Sequence, residues 1–177
     1  MNIDQAFLQK ITLLLLTALI SGCGIPYVLK VVDDRKLRRG KLIDSQAKLL
    51  DDLTQILWKW RYLAKSVVYY GSRSDKERYD AARKLYEESV WALLNEFRTE
   101  ISRSRRLVSE RAFQNLNGLY DYVVHDLDPK ITDLISKDIV DVQGCHEIAN
   151  RFSKEVSTKL DEALNDLASE LHLKIRA

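Results

Sequence analysis

Three histidines, His125, His146 and His172, are the residues of this chain best placed by type to move a proton. An imidazole can act as general acid or base. An arginine beside it can stabilise charge while a ribose 2′-hydroxyl attacks phosphate; in a known class of small all-helical RNase domains the pair takes the order Arg, four to six residues, His. None of the three has that partner. At the required distances stand Gly118, Leu119 and Tyr120 before His125, Ile139, Val140 and Asp141 before His146, and Asn165, Asp166 and Leu167 before His172. Only the reverse order occurs, in His146-Glu147-Ile148-Ala149-Asn150-Arg151. That spacing sets His146 and Arg151 about 140° apart around a helix. His146, Asn150 and Arg151 are thus candidates for a vestigial site only, and no enzymatic activity is expected.

Other chemistry is equally sparse. Cys23 and Cys145 are far apart and have neither the spacing of a zinc site nor the number for a disulfide framework. Cys145 reads as a small residue near a helix start. There is no His, Cys and carboxylate cluster and no glycine-rich phosphate loop, so neither metal nor cofactor is expected. The densest basic run is Arg98, Arg103, Arg105, Arg106 and Arg111. It reads either as a patch for RNA or an acidic partner, or as a solvated basic loop. The aromatic group Trp58, Trp60, Tyr62, Tyr69 and Tyr70 can stack bases, but packing between helices is its expected use.

These residues sit on elements that the pattern marks as helices. The chain of 177 residues is 46% hydrophobic and 31% charged, with six Gly and two Pro, which leaves too few chain breakers for a β-sandwich. From Lys41 to Tyr70, Ile43, Ala47, Leu50, Leu53, Leu57, Trp60, Ala64 and Val67 recur at steps of three and four, and Gly71 is placed as a terminating glycine. Ser74-Asp75-Lys76-Glu77 has capping-box spacing and predicts a second helix to about Ile101. A third is expected over 109–127, ended by Asp128-Pro129, then a short one over 130–140 and a last one from near Gly144 to Ile175. No segment alternates with period two. The reading is all-α, with about five helices in one domain over 41–177.

Residues 1–40 read differently. No charge occurs between Lys10 and Lys30, and those 19 residues would rise about 28 Å as a helix, close to the hydrocarbon thickness of a bilayer. Ile20-Ser21-Gly22-Cys23 fits a lipoprotein cut site, but the apolar run continues past it. Downstream stand Lys30, Arg35, Lys36, Arg38, Arg39 and Lys41, against Lys10 alone upstream. That asymmetry predicts a single-pass span of the bacterial inner membrane, N-terminus outside and domain in the cytoplasm, with the basic junction facing lipid headgroups. Lipidation at Cys23 is the alternative. Ala18, Ser21, Gly22 and Gly24 form a small-residue patch suited to close helix packing, and Pro26 suits a kink. Charge is also uneven: +7 over residues 30–120 and −5 over 121–177, so opposite ends of two copies can attract.

An apolar span from Lys10 to Lys30, a basic junction from Arg35 to Lys41 and a helical stretch to residue 175 together resemble a known family. It is the small membrane accessory protein of type VI-B CRISPR systems, with an N-terminal membrane helix and a divergent HEPN-like helical domain. HEPN ribonuclease domains carry the Arg-to-His motif absent here. The resemblance implies a homo-oligomeric membrane pore that works beside an RNA-guided RNase and strengthens antiphage immunity by perturbing the membrane. A non-conducting membrane tether that holds a partner or RNA is the second expectation, and a diverged HEPN-type RNase the third.

Overall fold

The computed structural model describes residues 25–171 apart from Asp138, with side chains from Lys30 onward. The chain divides into two compact units, Met1–Asp44 and Ser45–Ala177. All regular structure among the described residues is helical, as the composition and periodicity predict.

The described part of the first unit is the beginning of helix α1 (Ile25–Ser72). From Val32 to Asp44 every side chain is exposed, Arg35, Lys36, Arg38, Arg39 and Lys41 included. Ile43, expected on the buried stripe, is 45% exposed, because the packed seam begins only at Leu49. Ala18, Ser21, Gly22, Cys23 and Gly24 lie outside the described residues, and Pro26 is in the first described turn of α1. Among the described residues no helix is long and apolar enough to cross a membrane, and most of the expected span was not among those residues.

The second unit contains the rest of α1 and three further helical courses. These are α2 (Lys76–Ser104), then α3 (Glu110–Asp121) running into α4 (Asp128–Ser136), and α5 (Val142–Arg151) running into α6 (Ser157–Glu170). The two joined courses pass through π-helical turns at Tyr122–Leu127 and Phe152–Val156. The separate helices expected over 109–127 and 130–140 are therefore one course, and four courses stand where five helices were expected. Proline has no N–H to give the carbonyl four residues back, and its ring crowds that carbonyl. At Pro129 the wider turn, with the Asp128 N–H donating to the Val123 carbonyl, takes up the mismatch without breaking the rod.

Helix starts follow local chemistry. The α2 cap is Asp75, whose carboxylate accepts from the Arg78 N–H, instead of Ser74 as the capping-box spacing suggested. Ser74 has φ of 57° and makes the turn. Ser109 Oγ accepts from the Ala112 N–H to start α3, and the Asp141 carboxylate accepts from the Gly144 N–H to start α5. Gly71 has no positive φ and does not end α1 as a left-handed residue. It is buried, and a Cβ there would lie 2.5 Å from Cys145 Sγ, so it is glycine because two courses approach closely.

The core runs along α1 through Leu49, Leu53, Leu57, Trp60, Ala64 and Val67, all at most 1% exposed. Against it pack Tyr86 and Phe97 of α2, Leu116 of α3, Ile131 of α4 and Phe152 and Leu160 of the last course. The Trp60 and Phe152 rings lie 5.8 Å apart, and those of Phe97 and Tyr120 5.3 Å apart. Each large side chain removed from water this way contributes about 1.5–3 kcal/mol.

Candidate functional site

The basic run splits over three places. Arg103, at the end of α2, is half-buried and ion-paired to Asp52 and Glu100, each at 3.2 Å, so it ties α2 to α1. Arg105 lies over the Phe113 ring at 5.7 Å, and Arg98 and Arg106 are exposed. Arg111 is on α3, lining a cavity of about 290 Å³ with Asp166 and Glu170, which bring negative charge beside it. These arginines therefore do not share one uncompensated surface.

His146 and Asn150 are exposed on α5, and Arg151 is turned to other partners. Its guanidinium meets Asp126 at 2.8 Å and Glu155 at 3.7 Å, bridging the two π-helical turns. Hydrogen bonds from Lys130 and Arg151 hold the Asp126 carboxyl below its ordinary range, and the bond to Asp126 raises the Arg151 pKa in return. Arg151 thus serves the packing of two helices. Among the described residues no group of three or more His, Cys, Asp or Glu is placed to hold a metal ion.

Tyr86, Asp128 and Cys145 titrate above their ordinary ranges. The Tyr86 hydroxyl donates to the Asp128 carboxylate inside the bundle. Burial pushes Asp128 up from the ordinary carboxylate range, partly offset by that hydrogen bond and by the Trp60 indole N–H, which lies near the carboxylate without a hydrogen bond of good geometry. Burial likewise raises the Tyr86 pKa. Cys145 is fully buried and its thiol is pushed up to about 11, mainly by desolvation, which makes it inert at neutral pH.

The most distinctive surface lies on the outer side of α1. Trp60 is 1% exposed and belongs to the core and Tyr70 packs against it, as expected of this aromatic group, but Trp58 is 54%, Tyr62 68% and Tyr69 41% exposed, which corrects the expectation of packing for these three. Trp58, Tyr62, Lys65 and Tyr69 follow steps of four, three and four, so they form a second helical stripe, about 150° from the core seam. Arginines lie over its rings, Arg61 4.8 Å from Trp58 and Arg73 4.4 Å from Tyr69, and Arg78 lies 5.9 Å from the neighbouring Tyr70 ring. The groove between these side chains has a volume of about 300 Å³. The sequence held the signal in the register of Trp58, Tyr62 and Tyr69 with one another, apart from that of Trp60.

No family model, no curated protein and no solved structure matches this chain.

Proposed function

We propose that this chain is a membrane-anchored helical protein that works by self-association, forming or gating a pore at the bacterial inner membrane in support of RNA-guided antiphage defence. The observation that carries the reading is the described part of the first unit. There Val32, Leu37, Leu42 and Ile43 are 40–64% exposed and interspersed with Arg35, Lys36, Arg38, Arg39 and Lys41, directly after the uncharged run from residue 11 to 29. A helix that leaves its apolar side chains in water is suited to lipid or to other copies, and its cations suit anionic headgroups. The partner system, a CRISPR-guided RNase, enters through the resemblance in architecture.

The test is extraction and mass. The full chain should resist alkaline carbonate extraction from membranes and run as an oligomer in mild detergent, and cells should depolarise when the guided RNase is activated. A monomer at every concentration sinks self-association, and an unchanged potential sinks the pore. The exposed aromatic and cationic stripe of α1 favours a second reading, a membrane-tethered adaptor that binds an anionic partner at that face.

A further inference from the structure

We propose that the outer stripe of α1, from Trp58 to Tyr69, together with Arg73 in the turn that follows, is a platform for single-stranded RNA, a proposal that rests on the adaptor reading. The rings of Trp58, Tyr62 and Tyr69 stack bases, and Lys65 and Arg73 meet phosphates, with Arg61 at 18% side-chain exposure adding positive charge beside Trp58. The three rings lie within an arc of about 40° on one helix, separated along its axis by about 6 and 10 Å. They form a row, open to solvent, on a rigid element whose opposite side is locked in the core. Ring faces displayed in this way are a sequence-tolerant surface for bases.

The chemistry of the stripe decides among occupants. No aliphatic side chain interrupts it: from Trp58 through Arg61, Tyr62, Lys65 and Ser66 to Tyr69, every residue is aromatic, cationic or a hydroxyl. A partner helix would bring aliphatic side chains and leave the cations desolvated without countercharge. A second copy presenting the same face would set like charges against each other. Lys65 and Arg73 have no acidic partner among the described residues, and Arg61 reaches Asp161 only at 3.8 Å. The surface therefore calls for negative charge. An acidic peptide would answer the cations and leave the rings uncovered, whereas a single strand supplies phosphates and flat bases together. The guanidinium carbons of Arg61 and Arg73 lie 4.8 and 4.4 Å from the Trp58 and Tyr69 ring centroids, within cation–π range, so charge and ring are presented together. The groove volume of about 300 Å³ is at the lower end for small-molecule sites and suits one nucleotide unit.

The experiment uses the full chain in nanodiscs with a fluorescein-labelled 12-nucleotide oligouridylate, a duplex RNA of equal length and an oligoglutamate peptide. The single strand should bind best and should quench tryptophan fluorescence. Trp58→Ala, Tyr62→Ala and Tyr69→Ala should each weaken binding by about tenfold with helicity by circular dichroism unchanged, because these rings are exposed. Lys65→Gln with Arg73→Gln should lower the slope of log affinity against log salt by about 1.4. Binding lost instead in Arg105→Gln with Arg106→Gln, or duplex binding as tight as the single strand, overturns the proposal. Ring-dependent capture of oligoglutamate in preference to RNA overturns it while leaving the adaptor reading standing; absence of binding to all three probes removes both.

Discussion

Gly71 and Gly118 are both helical glycines, and replacing them by alanine should have opposite effects. A methyl group on Gly118 meets nothing within 4 Å, whereas one on Gly71 would lie 2.5 Å from Cys145 Sγ and 3.0 and 3.1 Å from two Tyr79 ring carbons. At Gly118 only the backbone gain of leaving glycine operates, so Gly118→Ala should stabilise by about 0.5–1 kcal/mol. At Gly71 that gain is opposed by an overlap of about 1 Å or more against ordinary contact distances. Cys145 is 0% exposed and Tyr79 2% exposed, with the Tyr79 hydroxyl donating to the Leu134 carbonyl at 3.3 Å, so neither neighbour can swing away freely. Overpacking of this kind costs about 1–3 kcal/mol. The difference between the two variants is that overpacking cost, about 3–15 °C in melting temperature for a domain of this size. Thermal and urea unfolding of the full chain in mild detergent, followed by circular dichroism, would measure it. Adding Cys145→Ala to Gly71→Ala removes the nearest atom and should restore about 1 kcal/mol through the coupling between the two sites. Equal stability of Gly71→Ala and Gly118→Ala would refute the close approach of α1 and α5.

Asp128 gives a prediction with a pH sign. Its folded-state pKa is raised by burial, so the stability it contributes is full below the unfolded carboxylate pKa and is lost as pH rises through the higher folded value. Asp128→Asn, which keeps an acceptor for Tyr86 and loses the charge, should be at least as stable as the parent at pH 7 and show less gain on acidification to pH 5; Asp128→Ala, which leaves the Tyr86 hydroxyl unpaired, should cost about 1–3 kcal/mol in urea titrations. In a Cys23→Ser background Cys145 should resist a thiol reagent until the bundle unfolds, so labelling as fast as a free thiol at pH 8 would contradict its full burial and raised pKa. Ser74→Gly should stabilise by about 1 kcal/mol, because Ser74 holds φ of 57° and glycine takes that conformation without strain; a lower melting temperature would count against it.

Much of the fold is legible in the sequence because burial in a helix imposes a spacing that chain order displays directly. Steps of three and four from Leu50 to Val67 marked the α1 seam, and Asp128-Pro129 marked a local disturbance. What proline would do there was not legible: a stop and a π-helical turn begin alike, and packing of Leu127 and Ile131 on the same core keeps the rod continuous. The cap lies one residue beyond the expected Ser74 for a similar reason, since Ser74 and Asp75 both have cap chemistry and only the turn geometry chooses between them.

By itself the sequence determined the helical class, the apolar run from residue 11 to 29, the basic junction after it and the lack of an Arg-to-His motif, because these depend on residue type and local order. Tertiary structure decided which residues are available to partners. It placed Arg151 with Asp126 and Glu155, divided the basic run between ion pairs and solvent, hid Cys145 against Gly71, and left Trp58, Tyr62 and Tyr69 uncovered. Aromatic side chains one or two positions apart on a helix point in different directions, and only the positions of the other courses settle which of them is covered.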